Sequence, residues 1–342
     1  IYADKVVKET IWSHVDGSYD VSVGYDNHKY INRLACKNAM ISAAKSWIKN
    51  RYKGGELAVL VYSMRSAPMA TACYIKKVIP KAKIYLIITD LPQFMDLSQN
   101  KVKAFLKRID WKSIQHMKKK FDGFILYARE MARYLKLEDD QWILMEGSFA
   151  GEDLHEFPVL QAENIKAAMY SGMLEERYGV KLLVDTFMAL PNDDIELWIT
   201  GGGEAEDYIR ACAEKDKRIK FYGFLSDRTD VLKLQKRAKV LINMRLPSEE
   251  ASNYCFPSKL FEYMATGIPV LSFKIGGIPD EYTPYLILVD DVSGLSEALS
   301  KALESDPETC VQIGKKAREF ILREKTPQKQ CLKIWSFVKE VN

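Results

Sequence analysis

The sequence is poor in the residues that staple or metallate small proteins. Its six cysteines (Cys36, Cys73, Cys212, Cys255, Cys310, Cys331) are scattered over 342 residues, with no C-x-x-C. Neither a disulfide framework nor a zinc knuckle is expected, and a reducing cytoplasm fits. The four histidines (His14, His28, His116, His155) have no i, i+4 partner, and there is no Asp-x-Asp pair. A catalytic metal is therefore not expected. No run of about 18 uncharged apolar residues occurs, which excludes an ordinary membrane-spanning helix. Internal repeats and low-complexity tracts are missing too.

What is there is the composition of a soluble globular protein, 47% hydrophobic and 28% charged, long enough for about two domains. The net charge of +4 hides an asymmetry. Residues 1–137 carry 25 Lys and Arg against 11 Asp and Glu, a net +14; the rest carries 25 against 35, a net −10. The basic half either meets an anionic partner or is a solvated lysine-rich surface.

Short β-branched runs alternate with helical patterns. The strands are read at 57–63, 83–90, 123–128 and 142–147, then at 165–172, 195–201, 219–224, 239–245, 269–273 and 286–291. Most are continuous apolar runs, as expected of parallel strands covered on both faces. Two doubly wound, Rossmann-like α/β domains follow. We place them at 1–162 and 163–322, with a link in 146–163 and a tail helix in 323–342. The first domain opens oddly. No strand–glycine–helix pattern precedes Tyr30, so its opening βα unit is expected to be missing.

The stretch "NYCFPSKLFEYMATGIPVLSF" (253–273) reads as a helix near 257–266, with Pro257 at its start and Gly267 just past its end. The helix follows a strand and a loop, so its N-terminus faces the carboxyl ends of the strands, where anions bind in open α/β sheets. Lys259 adds a positive charge in the first turn. Glu262 shares a face with Ser258 and can accept two hydrogen bonds from a ribose diol. The alternative is a surface helix in which Lys259 and Glu262 simply pair at i, i+3. Both readings stand on spacing alone.

This segment, with "GGIPDEY" (276–282), resembles the donor-site signature of the retaining glycosyltransferases of family 4, which have the GT-B fold. The likeness continues upstream through "YSGMLEERYGVKLLVDTF", "LWITGGGEAEDYI", "IKFYGFLS" and "KVLINMR". In the first half, "IITDLPQFMDL" and "FDGFILYAREM" fit a bacterial branch that builds surface and capsular polysaccharides.

The resemblance implies two Rossmann-like domains facing a cleft, with the tail helix crossing back to the first domain. It implies a UDP-linked sugar donor, a lipid-diphosphate-linked or oligosaccharide acceptor, retention of configuration and no metal. Glu262 takes the position of the ribose-binding carboxylate. Its usual partner, a donor-sugar carboxylate eight residues upstream, is replaced by Tyr254. The family's diphosphate-binding basic pair falls at Met173 and Tyr178, so Arg177, Lys181, Arg245 and Lys259 are left to carry that charge.

Gly172 and Gly202 sit in glycine turns that let backbone approach a ligand, though a plain turn explains the glycine run as well. Gly223 and Phe224 match a loop beside the nucleotide base, and a core role suits Phe224 equally. Asp90 ends a strand where the family places an acceptor-side His-Asp turn, with Thr89 in the histidine's place. It either orients the acceptor hydroxyl or caps a turn.

A basic amphipathic segment (101–121) offers Trp111, Lys118, Lys119, Lys120 and Phe121 as a patch for an anionic membrane surface. An ordinary packed helix is its alternative. The location implied is cytoplasmic, peripheral on the inner face of the plasma membrane. Two other functions fit the same fold: a nucleotide-sugar epimerase, and a non-catalytic nucleotide-binding or assembly protein.

Overall fold

The computed structural model describes residues 6–7, 10–13, 18–26, 32–92, 101–151 and 165–340. The chain forms two compact units. One comprises Ile1–Leu126, Lys136–Leu144 and Ile334–Asn342; the other comprises Tyr127–Leu135 and Met145–Lys333.

The first unit opens with short strands β1 (Val6–Val7), β2 (Thr10–Ser13), β3 (Tyr19–Ser22) and β4 (Tyr25–Asp26). They pair antiparallel, β2 with β3 and β1 with β4. Helix α1 (Asn32–Asn50) follows, then β5 (Ala58–Tyr62), α2 (Ser66–Val78), β6 (Lys83–Ile88), α3 (Lys101–Lys118), β7 (Gly123–Leu126) and β8 (Trp142–Leu144). Helix α4 (Glu130–Leu135), between β7 and β8, belongs to the second unit. The parallel sheet runs β5-β6-β7-β8 in one direction only. Among the described residues, no strand–glycine–helix unit precedes α1, and the early segment is spent on antiparallel ladders instead.

The second unit contains β9 (Lys166–Ser171), α5 (Val180–Met188), β10 (Ile195–Thr200), α6 (Glu206–Lys215), β11 (Ile219–Phe221) and α7 (Arg228–Arg237). Then come β12 (Val240–Asn243), α8 (Lys259–Thr266), β13 (Val270–Phe273), β14 (Ile287–Val289), α9 (Leu295–Glu304) and α10 (Pro307–Glu324). The sheet is parallel in the order β11-β10-β9-β12-β13-β14. The order reverses at β9, and β12 returns to its other side. That is the switch point of a doubly wound sheet, where ligand crevices form. Both faces carry apolar clusters, one around Phe187, Leu197 and Phe273, the other around Trp198, Leu260 and Tyr282.

Helix α11 (Pro327–Glu340) contributes to both units. In the second, Gln330 donates to the Gly147 carbonyl at 2.7 Å. In the first, Phe337 packs on Gly123 and Tyr85, whose hydroxyl donates to the Val338 carbonyl. The division differs from the expected boundary at 162/163, because 145–151 is held by contacts with the second unit: the Phe149 amide donates to the Lys325 carbonyl at 2.8 Å. Most of the expected link, 152–163, lies outside the described residues.

Candidate functional site

The site grows from α8. Gly267 follows it with φ 82°, a left-handed residue whose N–H returns to the Met264 carbonyl and ends the helix. Pro257 and Ser258 precede it, and Ser258 makes no side-chain cap. Leu260, Phe261, Tyr263, Met264, Ala265 and Thr266 are all buried. Against that apolar helix Glu262 is conspicuous: its side chain is only 15% exposed.

Three donors converge on it. Gln235 Nε2 reaches Glu262 Oε1 at 2.9 Å, and Lys259 Nζ reaches the same oxygen at 3.3 Å. Arg228 Nε lies 3.5 Å from Oε2. So Lys259 does pair with Glu262 at i, i+3, but within a larger cluster rather than as a lone surface pair.

Gln235 is fully buried and extends the network inward, donating to Ser171 Oγ at 3.0 Å. Ser171 is the last residue of β9. Its N–H donates to the Tyr263 hydroxyl, which in turn donates to the Ser171 carbonyl, both at 2.9 Å. Burial pushes the Tyr263 phenol up to about 12, so it stays neutral. The cluster thus joins α7, α8 and the carboxyl end of β9 at the switch point.

The neighbouring strand ends are laced together. Gly172 N–H donates to the Thr200 carbonyl, Leu174 N–H to the Gly202 carbonyl, and Gly201 N–H to the Gly223 carbonyl. Thr200 Oγ1 also donates to the Gly223 carbonyl at 2.7 Å. Within the glycine run the demanding positions are Gly201 and Gly203 rather than Gly202. Gly201 has φ 147°, and a Cβ there would lie 1.8 Å from the Gly172 carbonyl oxygen, whereas Gly202 has open space. Gly223 is left-handed at φ 67°. Phe224 is 76% exposed, which removes its core reading.

The other expected basic residues are engaged locally. Arg177 pairs with Glu175 at 2.5 Å and lies over the Tyr178 ring. Arg245 lies over the same ring, 4.4 Å from its centroid. Lys181 bonds to Glu176. None of these contacts reaches Glu262. Tyr254, upstream of α8, meets Tyr134 edge-on at 5.3 Å.

In the first unit, Asp90 is half-buried in the loop after β6. The expected membrane patch needs correction. Phe121 is 8% exposed and packs on Phe124, so it is core. Trp111 and Lys118 are half-buried, and desolvation depresses the Lys118 ammonium. Lys119 and Lys120 are exposed. The reason is packing: α3 turns its apolar stripe, with Ile114 and Met117, inward, and Phe121 continues that stripe.

Sequence reading missed Gln235, Arg228, Ser171 and Tyr263. One signal was present. Arg228 and Gln235 are seven apart, two turns along one face of α7. Among the described residues, no group of three His, Cys, Asp or Glu side chains is gathered as metal ligands, and no helix is long and apolar enough to cross a membrane.

Residues 166–305 match the family profile described as glycosyl transferases group 1. The sheet of the second unit and the whole Glu262 cluster fall inside that match. Among solved structures, S. aureus TarM, captured with fondaparinux, α-GlcNAc-glycerol and UDP, superposes with a TM-score of 0.59 at 13% identity; the match covers 94% of this chain and 62% of TarM. Anabaena HepE, in complex with UDP and glucose, superposes with a TM-score of 0.60 at 13% identity, over 91% of this chain and 83% of HepE. The lipopolysaccharide outer core galactosyltransferase WaaB gives 0.59 at 14% identity, over 89% and 80%.

The fold is GT-B. Two Rossmann-like halves with parallel sheets are common to this chain and these structures. The chain spans about three fifths of TarM, 62% of its length. A comparison with curated protein sequences finds no match.

Proposed function

We propose that this chain is a retaining glycosyltransferase that takes a UDP-linked sugar at the switch point of its second unit. It transfers the sugar to a lipid-linked or saccharide acceptor in surface-polysaccharide synthesis. The observation that carries the reading is Glu262: an almost buried carboxylate, held by Gln235, Lys259 and Arg228, at the carboxyl end of a doubly wound sheet. The match of residues 166–305 to group 1 glycosyl transferases supports the reaction class. The UDP bound in TarM and HepE supports the nucleotide.

In this reading, Glu262 Oε2 accepts from the ribose diol while Oε1 stays tied to Gln235. Lys259, Arg228 and the first turn of α8 stabilise charge on the departing diphosphate, and no metal is required. Gly172, Gly202, Gly223 and Phe224 border the nucleotide, Arg177, Lys181 and Arg245 surround it, and Tyr254 faces the donor sugar. Asp90 orients the acceptor hydroxyl. The protein works in the cytoplasm at the inner face of the membrane, with Lys119 and Lys120 towards anionic lipid.

The test is turnover of a UDP-sugar panel with lipid-diphosphate and oligosaccharide acceptors in excess EDTA, with the product's anomeric configuration read by NMR. Retention without added metal is expected. Inversion, or dependence on manganese, contradicts the mechanism. Conversion of the donor without any acceptor identifies an epimerase instead, and no turnover of any donor leaves a binding protein.

A further inference from the structure

We propose that Gln235 is the positioning residue of the nucleotide site, a role that rests on the nucleotide reading of Glu262. Its side-chain amide is 0% exposed, and its orientation is dictated by chemistry. An ionised carboxylate only accepts, so the Nε2 group must face Glu262, at 2.9 Å. The same nitrogen spans to Ser171 Oγ at 3.0 Å. That orientation leaves Gln235 Oε1 buried with no hydrogen-bond partner in the protein.

An unsatisfied buried acceptor is costly, and folding tolerates it where another requirement outweighs it. Here the requirement is that Glu262 Oε1 be held from inside. That hold is independent of the two exposed cations. Lys259 and Arg228 are 45% and 51% exposed, and both are well placed to swing onto a phosphate when a nucleotide arrives. If they leave, Gln235 is the donor that keeps the carboxylate in place, with Oε2 directed to the ligand. Ser171 and Tyr263 complete the brace by fixing the end of β9 against α8.

The near-isosteric variant Gln235→Glu tests this. It sets two carboxyl groups at hydrogen-bond distance, so they share one proton. With that proton present, the introduced carboxylic acid donates as the glutamine amide does. Once it is lost, two anions face each other and the brace fails. The charged and titratable groups around the pair are Lys259, Arg228 and Tyr263. Tyr263 titrates only near 12, above the range tested.

UDP is titrated by calorimetry into the wild-type chain, Gln235→Glu and Glu262→Ala between about pH 5 and pH 9, with circular dichroism confirming the fold at each point. Gln235→Glu should bind UDP nearly as the wild type does at the acid end. It should lose about ten- to a hundredfold as pH rises, the scale of a lost hydrogen bond to a charged group, while wild-type affinity shows no such fall. Ser171→Ala should cost about threefold to tenfold at every pH. Wild-type affinity for Gln235→Glu throughout, with Glu262→Ala still defective, overturns the role of Gln235 alone. Failure of Glu262→Ala to weaken UDP binding overturns the nucleotide reading itself.

Discussion

The two units put their polar groups in different places. Among the described residues, and tyrosine hydroxyls aside, every buried polar or charged side chain belongs to the second unit: Glu146, Ser171, Thr200, Gln235, Lys236, Asn243, Ser252, Thr266, Ser272, Lys325 and Gln330. The sheets differ in the same sense. In the second unit β12 sits between β9 and β13 and is buried along its whole length. In the first unit β5 is an edge strand that pairs, among the described residues, with β6 alone, and Ala58, Leu60 and Tyr62 are exposed. Helix α1, which leads into β5, has no fully buried residue. A sheet that reverses its order opens a crevice at the carboxyl ends of its strands, and polar side chains can line it. The difference is one reason we propose the second unit for the nucleotide.

Glycine gives the sharpest way to break that contrast. Gly201→Ala forces a Cβ to within 1.8 Å of the Gly172 carbonyl oxygen at φ 147°. It should destabilise the second unit by more than about 4 kcal/mol. Gly54→Ala, in the first unit, has nothing within 4 Å of its Cβ and carries only its left-handed backbone at φ 91°, so a loss of about 1–2 kcal/mol is expected. Urea unfolding of both variants checks the difference.

Strand truncation comes next. Leu241→Ala on β12, 0% exposed, should cost about 2–5 kcal/mol. Leu60→Ala on β5, 45% exposed, should cost less than about 1 kcal/mol. Equal losses would mean that β5 is covered in solution.

The buried charge makes a pH-dependent prediction. Lys236 is 1% exposed, and burial lowers its ammonium to about 8, with Arg318 adding to the shift. An unfolded lysine titrates near 10.4. Between those values the unfolded chain binds more protons, so the lysine's contribution improves as pH rises from about 8 towards 10. Lys236→Met should remove that dependence and raise stability at neutral pH. Urea midpoints of both proteins at about pH 7.5 and pH 9.5 test it; a variant less stable than wild type at both values refutes it.

The smallest effect is expected at the first unit's surface. Liposomes with anionic lipid should bind the chain at low salt and release it as salt rises. Charge reversal of Lys119 and Lys120 should weaken this by about 1 kcal/mol each. Binding that ignores lipid charge or salt would leave the basic half as a solvated surface.

Much of this was legible in the residues. Each strand from β5 to β14 overlaps an apolar run in the sequence, and strands buried on both faces, such as β12, leave that unbroken signature. Gly267 marked the end of α8, and Glu262 stood out as a charge among apolar neighbours. Gln235 did not stand out. In "SDRTDVLKLQKRA" a glutamine looks like a surface residue, and the packing of α7 on α8 and β9 buries it. Ser171 and Tyr263 lie 92 residues apart, a pairing that no local pattern reveals. Phe121 misled for the opposite reason: three lysines precede it, yet its own ring follows the inward stripe of α3.

The most direct test of the central claim, that the second unit's switch point holds the nucleotide through Glu262, is hydrogen exchange with and without UDP. Protection should rise at Ser171–Gly172, along α7 and through the first turn of α8, leave the first unit's sheet unchanged, and disappear in Glu262→Ala. UDP-dependent protection confined to the first unit, or protection at α8 that survives Glu262→Ala, would contradict it.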